Sequence, residues 1–243
     1  MRLRIILILA IAVVALGKLN SSRDELTVLY HQKISDPATI RDYFAAQPIR
    51  KLQLGAGSNY VKGWLNSDIE PKSGGIYLDA SANYPFPDGS IQYIFAEHLI
   101  EHLPWEGGLK MLQECRRLLA PGGKIRIVTP NLTQFVRLVS GDLTAEDRKA
   151  AEATRRLFAW PETPVVPAYV FNKTMREWGH QFIYDPATLR KTFELAGFTE
   201  VKERRIGDQT DPVFKEVEFR TRAQGEDLWF TNSWGAMVFE AGR

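Results

Sequence analysis

Two kinds of apolar pattern alternate along the chain. Short runs bounded by glycine, proline or an acid occur at "KLQLGAG", "GWLNSDIEP", "GGIYLDAS", "SIQYIFAEH" and "KIRIVTPN". Runs of this length predict strands. Between the fourth and fifth, Leu109, Leu112, Cys115 or Arg116, and Leu119 recur at helical spacing until "PGG" at 121–123 stops them. Asp36 and Asp185 each precede Pro-Ala-Thr. Each is therefore expected to cap a helix whose first position is proline, the first helix stopping at Pro48 and the second at Gly197. "TEVKERRIG" and "SWGAMVFEA" alternate as two closing strands, antiparallel at the sheet edge. The whole pattern predicts an α/β fold, with a mostly parallel sheet covered by helices on both faces. Its ligands belong beyond the C-terminal strand ends.

Two regions break the alternation. Residues 131–184 look helical over Leu132–Leu138 and Ala145–Phe158, then turn rich in proline and aromatics; they are expected to form an insertion covering the strand ends. At the other end, residues 1–19 carry two arginines and an apolar run from Ile5 to Leu16. As a helix that run reaches only about 18 Å, short of the roughly 30 Å of a bilayer core. A cleaved signal peptide ending at Gly17, an uncleaved interfacial anchor and a misassigned start all fit. Residues 20–48 then serve as linker and N-terminal helix, and 49–243 as the main domain.

Composition narrows the function. A formal charge of +2 over 243 residues leaves no strong footprint for nucleic acid. The pairs Arg116-Arg117, Arg155-Arg156 and Arg204-Arg205 read as solvated faces. The single cysteine, Cys115, excludes an internal disulfide and a multi-thiolate zinc site, and is expected to be a buried, inert thiol.

"LGAGSN" sets Gly55 and Gly57 directly after a strand, where the backbone can approach a ligand without a Cβ in the way. Asp68 ends the next strand and can accept ribose hydroxyls; Asp79 ends the third and can accept from an adenine amine. A nicotinamide dinucleotide fits poorly. Tyr60 occupies the third glycine position, and Asp68 follows Gly55 by 13 residues rather than by about 20. Adenosine without phosphates fits better.

"LQLGAGSNYVKGWLNSDIEP", "PFPDGSIQYIFAEHLIEHL" and "ECRRLLAPGGKIRIVTPNL" together resemble the successive motifs of class I S-adenosylmethionine-dependent methyltransferases, especially a small branch linked to glycan biosynthesis. The resemblance covers about residues 50–132, with a weaker echo in "GHQFIYDPATLRKTFELAGF". It implies a Rossmann-like seven-stranded sheet and S-adenosyl-L-methionine as methyl donor. By position, the donor would lie on Gly55, Ala56 and Gly57. Asp68 would take the ribose, Asp79 and Ala80 would flank the adenine, and Glu97 would stand near the methionine end. Gln53 departs from the acid many relatives carry there, and so supplies no charge for the donor's ammonium.

His98, Glu101 and His102 spell H-x-x-E-H, a zinc-peptidase spelling. The resemblance instead places Glu101-His102-Leu103 where the fourth strand meets a helix, and Pro104 would end a zinc-binding helix at once. No metal is expected. A sugar-hydroxyl acceptor needs a base with a pKa near neutrality. His98 and His180 are the candidates, with Tyr184 as a hydrogen-bonding partner to the acceptor. Trp160, Tyr169, Phe171 and Trp178 are candidates for a stacking platform. The acceptor expected is a small molecule or glycan, including a lipid-linked sugar. Because the donor is cytosolic, residues 3–19 would then hold the enzyme at the cytosolic membrane face. Two readings compete: a non-catalytic binding module on the same fold, and a zinc hydrolase using His98, Glu101 and His102.

Overall fold

The computed structural model describes residues 25–141, 143–157, 167–208, 211–218 and 226–243. It divides into two compact units between Ala46 and Gln47. Residues 1–19 lie outside the described residues. Among those described, no helix is long and apolar enough to cross a membrane.

In the first unit, residues 25–46 are helical throughout, with a π turn at His31–Ser35 leading into α1 (Asp36–Ala46). Asp36 is therefore not the cap expected. It lies inside the helix with helical dihedrals, buried, and its carboxylate bonds the His31 Nδ1 at 2.9 Å. The π turn sits where Pro37 removes an N–H from the regular ladder, a local adjustment that wide turns commonly make.

The second unit holds the strands β1 (Lys51–Leu54), β2 (Leu65–Asp68), β3 (Ile76–Tyr77), β4 (Ile91–Glu97), β5 (Leu119–Pro130), β6 (Lys202–Arg204) and β7 (Ala236–Gly242). They form one seven-stranded sheet in the order β3-β2-β1-β4-β5-β7-β6. β1 to β5 pair in parallel, while β7 runs antiparallel to both β5 and β6. The sheet is thus mixed. Only β7 is reversed, and it lies inside the sheet with β6 at the edge, which corrects the expected pair of antiparallel edge strands.

The helices are α2 (Trp105–Leu118), α3 (Leu132–Ser140), α4 (Ala145–Leu157), α5 (Pro167–Arg176), α6 (Pro186–Leu195) and α7 (Glu226–Gly235). α2 buries Met111, Leu112, Cys115 and Leu118, the helical spacing seen in the sequence. Burial pushes the Cys115 thiol pKa far up, so the thiol stays protonated. α6 packs beside α2, and its Phe193 stacks on Phe239 of β7. Successive strand residues face opposite sides, so Val238 faces the other way. There it joins Trp64, Phe95, Val128, Phe214 and Val217. That second face is covered by Trp64, by the 3₁₀ helix Pro212–Glu216 that carries Phe214, and by Val217 after it. The links β1–β2, β2–β3 and β3–β4 carry no helix. Asn66 compensates in the first of them, its amide bonding Val61 N–H and the Val61 and Trp64 carbonyls at 2.9 to 3.2 Å.

A separate core forms beyond the C-terminal strand ends. Phe135, Leu138, Ala150, Ala151, Val170 and Trp234 pack together there from α3, α4, α5 and α7. Its polar tie is Asp147, fully buried, which accepts from Arg137, the Trp234 indole (3.0 Å) and both the N–H and hydroxyl of Thr144 (2.9 and 2.8 Å). The Asp147 N–H returns a bond to the Thr144 hydroxyl at 3.1 Å, closing a reciprocal cap on α4.

Candidate active site

The C-terminal ends of β1, β2, β4 and β5 meet at one rim, where the strand order reverses between β1 and β4. This is where open α/β sheets bind ligands. The glycine loop follows β1 directly. Gly55 and Gly57 adopt φ of +62° and +55°, a region side chains disfavour. A Cβ on Gly55 would also come within 2.9 Å of Leu99. The loop is tied to β2 through Ala56 N–H to the Ser67 carbonyl (2.9 Å) and Gly57 N–H to the Asp68 carboxylate (2.8 Å). The other Asp68 oxygen accepts from Glu70 N–H at 2.9 Å.

Asp79 follows β3 and accepts from the Ser81 N–H and hydroxyl. Ala80 is buried, and its carbonyl holds the Tyr84 hydroxyl at 2.9 Å. Glu97 is buried at the last position of β4. Gln53 donates its amide to the Asn59 carbonyl at 3.1 Å, and its side-chain oxygen is buried with no partner among the described residues. Bare glycines in left-handed backbone, an acid at the end of β2 and a spare acceptor under the loop suit an adenosyl amino acid such as S-adenosylmethionine.

A cleft of about 430 Å³ opens from this loop toward the insertion. Asn59 marks its donor-side end, His98, His102 and His180 its floor, and Trp178 and Thr231 its far walls. His98 follows β4 with φ of +51°, a strained conformation for a non-glycine residue. Its Nδ1 lies 3.0 Å from Glu101 Oε1. Glu101 is fully buried in the single 3₁₀ turn Ile100–His102, and its other oxygen accepts from the Thr129 hydroxyl at 3.0 Å. Burial pushes the Glu101 carboxyl pKa up, but the hydrogen bond and charge of His98 outweigh it, and the net direction is down. The carboxylate is thus ionised and can only accept, so the His98 Nδ1 carries a proton toward it.

His180 arrives from far along the chain. Gln181 and Phe182 donate their N–H groups to the Glu101 carbonyl (2.8 and 3.1 Å), and the Gln181 amide donates to the His102 carbonyl (2.7 Å). This strap sets the His180 ring against His102, with centroids 4.9 Å apart. The His180 Nδ1 lies 2.7 Å from the Thr174 carbonyl. Burial lowers the His180 pKa more than the Glu101 charge raises it, so the imidazole is neutral near pH 7.

Not every expected residue gathers here. Tyr184 is fully buried and does not line the cleft; its hydroxyl faces Gly108, where an added Cβ would meet it at 2.4 Å. Burial raises its pKa well above the ordinary phenol value. Tyr169 and Phe171 pack against the insertion core, leaving Trp178 as the aromatic of the expected platform that reaches the cleft. Trp160 lies outside the described residues. Phe135 and Thr231, which line the cleft, went unnoticed in the sequence; only the apolar spacing of α3 hinted at Phe135. The H-x-x-E-H helix of a zinc peptidase is absent, since Glu101 and His102 lie in a 3₁₀ turn and His98 precedes it. Glu101, His102 and His180 nevertheless bring ligand atoms within 4.8 Å of one another.

Residues 54–127 match the protein-family model described as a methyltransferase domain. The matched segment contains the glycine loop, Asp68, Asp79, His98, Glu101 and His102, and supports an S-adenosylmethionine-dependent methyltransferase. No curated protein matches the sequence. Among solved structures, the chain is similar to a SAM-dependent methyltransferase from Archaeoglobus fulgidus (16% identity, 90% of this chain and 94% of that one covered, TM-score 0.47). It is also similar to a SAM-dependent methyltransferase from Thermotoga maritima (15% identity, 91% and 95% covered, TM-score 0.46). A third is a Haemonchus contortus phosphoethanolamine N-methyltransferase in complex with S-adenosylhomocysteine (15% identity, 87% and 53% covered, TM-score 0.43). None of these likenesses is close enough to carry an acceptor over to this chain.

Proposed function

We propose that the chain transfers the methyl group of S-adenosylmethionine to a hydroxyl of a sugar-like acceptor, with His98 as the general base. The observation that carries this reading is the His98–Glu101 pair at the point where the cleft meets the glycine loop. Gly55, Ala56 and Gly57 would bear the donor, Asp68 its ribose, Asp79 and Ala80 its adenine, and Glu97 the methionine end. Bound donor supplies an electrophilic methyl: a C–O bond forms to the acceptor, the S–C bond breaks, and one acceptor proton must be taken up.

His98 is better suited to take that proton than His180. The imidazolium formed at His98 is stabilised by an ionised carboxylate, whereas the His180 Nδ1 meets only a neutral carbonyl. Thr154, Thr174, Thr231 and Asn232 offer hydrogen bonds to a hydroxylated acceptor from around the cleft, and Trp178 can stack on a sugar face. Tyr184, buried away from the cleft, has no part in binding it. A lipid-linked sugar and a place at the cytosolic membrane face follow from residues 3–19 alone, and they form the outer part of this proposal.

Two measurements on the full chain test it. Calorimetric titration with S-adenosylhomocysteine should show micromolar binding, and its absence in folded protein would remove the donor reading. His98→Gln should lower turnover on hydroxylated acceptors by about 10²- to 10⁴-fold, the usual reach of general-base catalysis, while leaving S-adenosylhomocysteine affinity unchanged. Undiminished turnover would rule His98 out as the base.

A further inference from the structure

The cluster beneath the cleft has more ligating capacity than a lone general base needs. Three histidines and a buried glutamate converge there from two segments about eighty residues apart, Gln181 and His102 being 79 positions apart. The strap of hydrogen bonds from Gln181 and Phe182 to Glu101 and His102 holds the segments in register. Glu101, His102 and His180 place one ligand atom each within 4.8 Å of the others. Two imidazoles and one carboxylate with an open side form a donor set suited to first-row divalent transition cations. At bond lengths of about 2.1 Å, binding would draw the three ligand atoms to roughly 3 to 3.5 Å apart.

A second observation points the same way. The His180 Nδ1 is held at 2.7 Å by the Thr174 backbone carbonyl. A carbonyl can only accept, so Nδ1 carries the proton and Nε2 presents a lone pair. Fixing one imidazole nitrogen on a backbone carbonyl so that the other can ligate is the outer-shell arrangement of metal-binding histidines. Glu101 has a comparable outer shell, with one oxygen on His98 and the other on the Thr129 hydroxyl. The carboxylate also accepts the Glu101 backbone N–H, which leaves one of its four lone-pair sites open.

We propose that Glu101, His102 and His180 bind a divalent first-row transition cation whose open positions face the cleft and take an acceptor hydroxyl oxygen. This rests on the methyl-transfer reading and gives it a way of choosing the acceptor. An oxygen bound to the cation is a stronger acid than a free alcohol, and two adjacent hydroxyls can chelate where one cannot. The cation would therefore favour acceptors with a vicinal diol, a common feature of sugars. His98, on the other side of Glu101, stays available for the released proton.

The test begins with full-length protein stripped by chelator and titrated with zinc chloride and with manganese chloride. One site per chain is expected. His102→Gln and His180→Gln should each weaken binding by more than the 10- to 100-fold typical of losing an outer-shell partner, whereas His98→Gln, which removes only such a partner of Glu101, should weaken it by no more than that. Circular dichroism checks that each variant is folded. Cobalt(II) added to wild-type protein provides a readout that needs no variant: visible bands with nitrogen and oxygen ligation are expected, abolished by excess zinc. No stoichiometric binding by folded wild type, or binding indifferent to both His102 and His180, would overturn the proposal. S-adenosylhomocysteine affinity measured with and without chelator separates the two readings. Donor binding without cation binding leaves methyl transfer standing and removes the cation site, while loss of both removes the reading beneath it.

Discussion

The glycine-loop side of the cleft and the insertion side, the donor and acceptor sides of the proposed function, are built in opposite ways. The donor side is backbone held by near neighbours: Gly57 bonds Asp68 eleven positions away and Ser67 bonds Gln53 fourteen away. The acceptor side is side chains held by distant ones, with Gln181 reaching His102 across 79 positions and Trp234 reaching Asp147 across 87. A ligand common to many enzymes can be read by a local loop. An acceptor peculiar to one enzyme can be met by a wall that varies without disturbing that loop. The two sides should therefore fail independently.

The largest expected break is Asp147→Ala. It removes the acceptor of Arg137 and the Trp234 indole and opens the cap on α4, and should cost about 3 kcal/mol of stability. Urea denaturation reads the loss, and S-adenosylhomocysteine affinity in the folded variant should not change. Acid should reach the same tie. Burial raises the Asp147 pKa, but Thr144, Arg137 and Trp234 together bring it from an ordinary 3.8 to about 2. A lowered folded pKa means the stabilisation is complete above 3.8 and is lost as pH falls from there through about 2. Asp147→Asn should flatten that part of the stability–pH curve.

Asp68→Ala is the converse break. Losing a charged acceptor for ribose hydroxyls, and the anchor of Gly57, should weaken S-adenosylhomocysteine by about 100-fold, or roughly 2.7 kcal/mol. The urea midpoint of the insertion should barely move. A smaller effect sharpens the contrast: Trp178→Ala should raise the acceptor KM by a factor matching about 0.5 to 1.5 kcal/mol of stacking, with donor affinity intact. A joint fall of donor and acceptor binding in any of these variants would argue against two independent sides.

The same contrast explains what was legible in the sequence. The glycine loop, the acids at the strand ends and the helical face of α2 are local signals, and the structure places them as elements where the pattern put them. The reversed strand inside the sheet is not local, because nothing in "GAMVFEA" says which strands it pairs with. The two Asp-Pro-Ala-Thr segments show the limit most clearly. At 185 the chain arrives extended, strapped to Glu101, and Asp185 caps α6 by accepting from Ala187 and Thr188 N–H. At 36 the chain arrives already helical, so the same four residues continue a helix and the aspartate turns to His31. Capping chemistry is conditional on what precedes it. Some legible signals were passed over: Thr144-x-x-Asp147 is a reciprocal cap written in sequence, and it secures the acceptor wall. Tyr184 shows the reverse error, a polar group next to a candidate base whose hydroxyl turns inward. The grouping of His180 with Glu101 and His102 could not have been read locally at all.

One junction bears on how the cleft selects. α7 ends at Gly235 and β7 begins at Ala236 with no residue between, and the Gly235 carbonyl accepts from Asn131 N–H at 2.8 Å, just past the end of β5. That wall is the projecting end of a beam whose root lies between β5 and β6. A beam rooted so has no loop at this point, which would make the cleft a gauge whose calibre follows the seat of β7. A Cβ on Gly235 would come within 3.1 Å of the Phe135 ring, so even one methyl group there would reset the bore. Discrimination among acceptors would then be a matter of what passes the gauge.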